Sequence, residues 1–139
     1  MRDNILIDTN IYIYAETIDD PQKHAISVEF IEKLKSEANV FISIQNISEF
    51  SNNMTKKSDL NSSSINEIIS SYQEVFSPVF FSIETIKEAN KIVRDFNIHY
   101  YDALLTATMR ENFITTIVTE NEKDFKKIPW LKVINPFKK

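Results

Sequence analysis

Ile5-Leu6-Ile7-Asp8-Thr9-Asn10 joins a short, β-prone apolar run to three residues that favour turns and helix caps. Four further apolar runs are predicted as strands, at 40–44, 79–83, 114–118 and 132–134. Because the runs are continuously apolar and do not alternate with polar residues, they are typical of strands covered on both faces. With helical segments between them, the pattern predicts an α/β fold, a three-layer α/β/α arrangement with a mostly parallel central sheet.

The helical segments follow from apolar spacing and from capping residues. Asp8 precedes a short buried helix over 11–15, and Asp19-Asp20-Pro21 begins a helix that extends to about residue 38. Asn46 and Glu49 resemble a capping box, which predicts a helix that starts at Asn46. Further helices are predicted over 65–76, 86–96 and 101–109, with a helical turn over 123–128.

Composition restricts the chemistry that the chain can perform. The 139 residues, 42% hydrophobic and 26% charged, predict one globular domain over 1–139. Without cysteine there is no thiol nucleophile, disulfide or cysteine-bound zinc, and without glycine there is no glycine-dependent phosphate loop or nucleophile elbow. Two histidines are too few for a histidine-rich metal site, so carboxylates, hydroxyls and amides remain.

Charge and hydropathy restrict the partners. Sixteen basic residues against twenty acidic ones give a net charge of -4, so the overall field repels nucleic acid. A nucleic-acid partner therefore needs local basic residues or a bound cation. No apolar run approaches the roughly 20 residues of a membrane span, and we expect a cytoplasmic protein.

Acidic residues from distant parts of the chain are expected at one edge of the predicted sheet. Asp8 ends the first strand, Glu49 follows the second, and Asp102 begins the helix before the fourth. Thr119-Glu120-Asn121-Glu122 follows the fourth strand, and Asp124 comes soon afterwards. Because ligands bind outside the carboxyl ends of parallel strands, this edge is the expected site.

Carboxylates gathered in a partly dry cleft repel one another and take up protons unless a cation is present. Oxygen ligands with retained water are what Mg²⁺ or Mn²⁺ prefers. Such an ion can activate water and offset charge on a phosphoryl group. The residues therefore favour metal-assisted phosphodiester hydrolysis.

Each acid also has a purely structural interpretation. Asp8 can serve as a helix cap, Glu49 as the capping-box partner of Asn46, and Asp102 as a cap of its own helix. Thr119 with Glu122 also fits a capping box, which makes Asn121 and Asp124 ordinary polar residues of a loop and first turn. The conjunction of all these residues at one sheet edge favours the functional interpretation.

The segments that carry these residues resemble the PIN-domain ribonucleases, in particular the VapC-type toxins of toxin–antitoxin pairs. The matching segments run in the family's order and cover nearly the whole chain: Ile7-Asp8-Thr9-Asn10, Phe41 to Phe50, Tyr101-Asp102-Ala103-Leu104, Val118 to Phe125, and Val133 to Phe137. The resemblance implies a PIN-like fold and endonucleolytic hydrolysis of RNA with Mg²⁺ or Mn²⁺, leaving a 5′-phosphate and a 3′-hydroxyl.

The resemblance also implies roles for individual residues. Asp8, Glu49 and Asp102 match the acidic metal-site positions, and Thr9 and Thr119 match hydroxyl positions that orient water or support the site. Two further residues complete the implied set: Asn121 stands where many members of the family have an aspartate, and Asp124 is a further candidate metal ligand. Whether one ion or two is held stays open.

Contacts with partners are predicted from the remaining residues. Lys56, Lys57 and Arg94 are candidates for contacts with RNA phosphates. The resemblance implies a small antitoxin protein that covers or enters the acidic cleft, and a homodimer for which the helix 65–76 and the Tyr12–Tyr14 region are candidate surfaces. Tyr12, Tyr14, Tyr100 and Tyr101 are candidates for stacking on bases, although aromatic residues in apolar segments more often belong to a core.

Three alternative functions stay open at this point. The same fold also serves free-standing nucleases of RNA processing. A receiver-like signalling domain places acids around Mg²⁺ at strand ends, although this chain has Asp8-Thr9-Asn10 where adjacent acids are expected. Asn121 leaves room for an inactive PIN-like binding module.

Overall fold

The computed structural model of the chain describes residues 2–138. It has five strands and seven helices, and one or two helices separate each strand from the next. They are β1 (Asn4–Ile7), α1 (Thr9–Glu16), α2 (Pro21–Glu37), β2 (Asn39–Ser43), α3 (Ile44–Lys57), α4 (Ser62–Val75), β3 (Ser77–Val79), α5 (Ile83–Phe96), α6 (Tyr100–Glu111), β4 (Thr116–Val118), α7 (Glu122–Phe125) and β5 (Lys132–Ile134).

The five strands form one sheet in the order β3-β2-β1-β4-β5, and every pair is parallel. This confirms the predicted fold class. The order differs from the 2-1-3-4-5 order of flavodoxin-like receiver domains. The sheet therefore argues against the receiver-like alternative.

Two apolar cores cover the two faces of the sheet, so that alternate residues of β1 enter different cores. Leu6 joins the core made with α5, α6 and α7. Ile5 and Ile7 join the core made with α1, α2, α3 and α4. Burial of both faces is what a continuously apolar strand allows, and it gives the three layers.

This distribution of helices makes the boundary between β1 and β4 the switch point of the sheet. The chain leaves β1 toward the helices of one face and leaves β4 toward α7 on the other. At such a boundary the two connections diverge and leave a crevice at the carboxyl ends of the strands. Asp8 and Thr119 are the residues that follow these two strand ends.

The start of α3 corrects one prediction. The helix begins at Ile44, and its cap is Ser43, whose hydroxyl accepts a hydrogen bond from the backbone N–H of Asn46 at 2.9 Å. Asn46 is therefore the third residue of the helix and returns the capping contact through its side-chain oxygen. The prediction that Asn46 caps the helix with Glu49 is wrong, and Glu49 has no part in the cap.

The third strand is also displaced from its predicted position. The run 79–83 was expected to be a strand, whereas β3 ends at Val79 and Ser82 caps α5. β3 lies at the edge of the sheet, where the missing N–H of Pro78 costs little pairing. Phe80 and Phe81 consequently lie in an exposed connection.

The chain fills its left-handed backbone positions without glycine. Asn97, at φ 55°, ends α5, and Phe113, at φ 57°, lies in the connection from α6 to β4. Asparagine tolerates this conformation, whereas a bulky side chain such as Phe113 is strained in it. Within residues 2–138, the helices are too short or too polar to cross a membrane.

Candidate active site

A cleft of about 470 Å³ lies outside the carboxyl ends of β1 and β4. Asp8 contributes from the end of β1, Glu49 from the second turn of α3, and Asp102 from the first turn of α6. All three carboxylates are half-buried and line this one cleft. The structure thus brings together the three acids that the sequence places far apart.

Asp8 is held by donors on both of its oxygens. Its Oδ1 accepts a hydrogen bond from the backbone N–H of Thr9 at 2.8 Å, and its Oδ2 accepts one from the hydroxyl of Thr119 at 2.8 Å. Asp8 is therefore the cap of α1 and a cleft residue at the same time. Burial raises the pKa of Asp8, and these hydrogen bonds oppose that rise.

Thr119 joins the two sides of the switch point. Its side chain is fully buried, and its hydroxyl donates to Asp8 while accepting from the backbone N–H of Asn121 at 3.0 Å. The alternative in which Thr119 caps α7 with Glu122 is wrong, because Asn121 occupies the cap position of that helix. Asn121 itself is exposed and lines the cleft.

Glu49 is linked to Asp8 through Thr9, whose hydroxyl donates to Oε1 of Glu49 at 3.1 Å. Burial and the negative charge of Asp8 raise the pKa of Glu49, and the hydrogen bond from Thr9 opposes the rise. Thr9 therefore donates hydrogen bonds to both acids, through its backbone N–H to Asp8 and through its hydroxyl to Glu49, although the two negative charges repel each other.

Asp102 is the most perturbed acid of the cleft. Burial, a hydrogen bond to Asp124 and the charges of Asp8, Asp124 and Glu49 raise its pKa to about 7. Burial also acts to raise the pKa of Asp124, but the backbone N–H of His99 at 3.0 Å and the hydrogen bond from Asp102 hold it below its ordinary value. When its carboxyl is neutral, Asp102 thus donates a hydrogen bond to Asp124.

Asp124 lies behind Asp102 and does not line the cleft. It is buried, and Nζ of Lys127 lies 3.9 Å from its Oδ1. The candidate metal ligand Asp124 therefore contacts Asp102 but does not itself face the cleft.

The basic candidates separate in the structure. Lys57, near the end of α3, lines the cleft, whereas Lys56 and Arg94 do not. Arg94 lies on α5 and pairs with Asp95 at 2.9 Å. Lys23 also approaches the cleft region, but its ammonium group forms an ion pair with Glu120.

Two asparagines that the sequence analysis did not propose as site residues lie beside the acids and their partners. Asn46 is fully buried, and its Nδ2 donates to the hydroxyl of Thr9 at 3.0 Å and approaches Oδ1 of Asp8 at 3.4 Å. Asn10 accepts from the backbone N–H of Glu120 at 3.3 Å. The available signal was helical spacing, since Asn46 lies three residues before Glu49 and so shares its helix face.

The site as a whole concentrates negative charge in a half-buried cleft with one lysine among its lining residues. Burial raises the pKa of each carboxylate, and the negative charges of neighbouring acids add to the rise for Glu49 and Asp102. Such a site can hold a hard cation through oxygen ligands and can orient water beside it.

The model of the PIN domain family matches residues 5–131. No curated protein sequence matches the chain.

Three solved structures illustrate the structural likeness. VapBC2 from Rickettsia felis, bound to a DNA fragment from its promoter, gives a TM-score of 0.72 at 20% identity, covering 95% of this chain and 98% of that one. A toxin–antitoxin complex from Klebsiella pneumoniae gives 0.70 at 20% identity, covering 97% and 99%. VapC20 from Mycobacterium tuberculosis, a toxin that cleaves the sarcin–ricin loop, gives 0.63 at 16% identity, covering 81% and 86%.

At these identities the structural likeness establishes the fold, and the family match over 5–131 establishes the relationship. The parallel sheet between two layers of helices is thus the fold of a known family. The chain belongs to the PIN domain family.

Proposed function

We propose that the chain is a single-domain, metal-dependent endoribonuclease and the toxin of a toxin–antitoxin pair. Its family membership and the VapC toxins among its structural neighbours support this proposal. The observation that carries it is the set of three carboxylates at the switch point, each with a pKa raised by burial and two of them by the charges of neighbouring acids.

The donor chemistry of the cleft fits Mg²⁺ or Mn²⁺. All three candidate ligands are carboxylate oxygens, and the electrostatic conflict among them is relieved by a divalent cation. Among residues 2–138, no three His, Asp or Glu side chains form a ready-made metal cage. Mg²⁺ usually binds one or two carboxylates and keeps several waters, so an open set of this kind suits it.

Asp8, Asp102 and Glu49, which line the cleft together, would hold the ion. When bound, the ion supplies positive charge to the phosphoryl oxygens and activates water. Thr119 and Thr9 fix the orientation of Asp8 and Glu49 through their hydroxyl donors. Asp124 fixes Asp102, and Asn46 holds Thr9 from the buried side.

The proposed partner is a small antitoxin that places a segment over the acidic cleft. Several structural neighbours are toxin–antitoxin complexes. The excess of carboxylates favours a basic segment of the antitoxin at this position. A homodimer through the α4 surface, and a cytoplasmic location, complete the proposal.

The test is a comparison of RNA ends produced by the wild-type protein and by Asp8→Asn during brief expression. We expect new 5′-phosphate ends with the wild type and none with Asp8→Asn. Asp59→Asn, in the exposed connection between α3 and α4, is the matched control and should cut like the wild type. If the wild type and Asp8→Asn produced the same cuts, the assignment of Asp8 would be wrong.

Assays on the purified wild type and Asp8→Asn proteins distinguish a nuclease from an inactive binding module. Cleavage by the wild type should disappear on chelation and return when Mg²⁺ or Mn²⁺ is added. No cleavage with either ion would favour the binding module. An antitoxin reading frame beside the gene would distinguish a toxin from a free-standing RNA-processing nuclease.

A further inference from the structure

Tyr101 is the one of four candidate stacking tyrosines whose ring is exposed, with 65% of the residue accessible. Tyr12 is fully buried, and Tyr100 packs against the core of α5 and α6. Tyr14 donates to Glu120 at 2.6 Å and packs edge-on against Phe137. An exposed aromatic ring with no part in the core is available for a ligand.

The position of Tyr101 is fixed by its surroundings. Its carbonyl accepts a hydrogen bond from Nε2 of Gln45 at 2.9 Å. Its ring meets the ring of Tyr100 edge-on, with centroids 5.1 Å apart and an angle of 78° between the planes. A ring held in this way loses little conformational freedom when a planar ligand stacks on it.

Tyr101 does not itself line the acidic cleft, but it is next to residues that do. It directly precedes Asp102, and Leu105, one helical turn further along the same face of α6, lines the cleft. Gln45, which holds the carbonyl of Tyr101, also lines the cleft. A group that stacks on Tyr101 therefore lies beside whatever occupies the cleft.

Few cations near the cleft are free to hold a polyanion. Lys57 is the lysine that lines it, and Lys23 is paired with Glu120. The chain also carries a net charge of -4. Beside a cation in the cleft, binding of a single-stranded nucleic acid gains from a contribution that does not depend on phosphate charge, and base stacking on an aromatic ring provides one.

We propose that Tyr101 stacks on a base of single-stranded RNA next to the phosphate that lies in the cleft. This inference rests on the proposed nuclease function, and it adds a specific base-binding residue at the rim of the site. Single-stranded RNA is the form whose bases are free to leave their stack for such a contact.

Binding is measured by fluorescence anisotropy with a fluorescein-labelled, unstructured RNA oligonucleotide in Mg²⁺. All proteins carry Asp8→Asn so that the RNA stays intact. Tyr101→Leu, which keeps the apolar bulk and removes the ring, should weaken binding about 5-fold to 100-fold. Tyr101→Phe, which keeps the ring, should stay within twofold.

Phe113→Leu is the matched control, because Phe113 is an exposed aromatic residue, 82% accessible, far from the cleft. Its carbonyl accepts a hydrogen bond from Asn4, at the amino-terminal end of β1, whereas the cleft lies at the carboxyl end. It should leave RNA binding unchanged. A salt series adds a second criterion: Tyr101→Leu should not change the slope of log K against log salt. Lys57→Gln should reduce that slope by about 0.7, the value for one phosphate contact with a single strand.

Equal RNA affinity of the parent and Tyr101→Leu would overturn the proposal and leave the ring as a contact for a protein partner. Weaker binding of Tyr101→Phe would overturn it as well, since the hydroxyl would then be the group recognised. In the active protein, Tyr101→Leu should raise KM and leave kcat within twofold. If the wild type did not cleave RNA at all, the nuclease function would be contradicted. The binding measurement would still decide the role of Tyr101.

Discussion

Replacing Asp102 by asparagine should stabilise the metal-free protein while it abolishes cleavage. Asp102 carries a pKa raised from 3.8 to about 7 by burial, by its hydrogen bond to Asp124 and by the neighbouring acids. An asparagine removes the charge, and its amide N–H can donate to Asp124 as the neutral carboxyl does. The substitution therefore removes a repulsion and keeps a contact.

The size of the gain follows from the raised pKa. A carboxyl whose pKa rises by about 3 on folding costs at most about 4 kcal/mol once it is ionised. Water reaches part of Asp102, and the lowered pKa of Asp124 returns part of this cost, so we expect about 1–2 kcal/mol. For 139 residues this corresponds to a rise in Tm of about 3–7 °C.

The effect of Asp102 on stability depends on pH. Below about pH 4 the carboxyl of Asp102 is protonated in both the folded and the unfolded chain and costs nothing. The cost grows as pH rises from about 4 to 7, because only the folded state retains the proton, and it is complete above pH 7. The advantage of Asp102→Asn over the wild type should therefore be absent at pH 4 and largest at pH 8.

The assay is thermal unfolding followed by circular dichroism in a chelating buffer at pH 4, 6 and 8. Asp59→Asn serves as the control, since an exposed loop substitution should change stability by less than about 0.5 kcal/mol. A Tm for Asp102→Asn at pH 8 that equals or falls below that of the wild type would refute the electrostatic explanation of the cleft.

Three further predictions use other parts of the structure. Mg²⁺ at 100 times its Kd should raise the free energy of unfolding of the wild type by about 2.7 kcal/mol, seen as a higher Tm in chelator-free buffer, and should have a smaller effect on Asp8→Asn. Asn46→Leu should lower the free energy of unfolding by about 2–3 kcal/mol in urea titrations, since it leaves the buried partners of Asn46 unpaired; Asn52→Leu, exposed on the same helix, should change it little. Phe113→Asn should raise the free energy of unfolding by about 1 kcal/mol, because asparagine tolerates φ 57° and the exposed ring contributes little packing.

The layers and the location of the site could be predicted from the sequence for a physical reason. Strands covered on both faces must be continuously apolar, and polar residues directly after them must lie at one edge. Asp8 and Thr119 are the clearest case, since each follows a fully buried strand residue. Their roles in the proposed reaction stay predictions.

The predictions that were wrong, and the contacts that were not predicted, depend on information that local sequence patterns do not contain. Ser43 and Asn46 are both good caps three residues apart, and only the end of β2 in the sheet decides between them. Pro78 argues against a strand unless that strand is known to be an edge. The contact between Asp102 and Asp124 depends on how α6 and α7 pack, which neither segment specifies alone.

The bond between Thr119 and Asp8 joins residues 111 positions apart. During synthesis the first of these residues leaves the ribosome long before the second is added, and until then one oxygen of Asp8 has no hydroxyl donor. An unfinished chain therefore carries the acids without their arrangement. The proposed cleavage of RNA therefore begins only after translation has passed β4, and the proposed antitoxin can already be present by then.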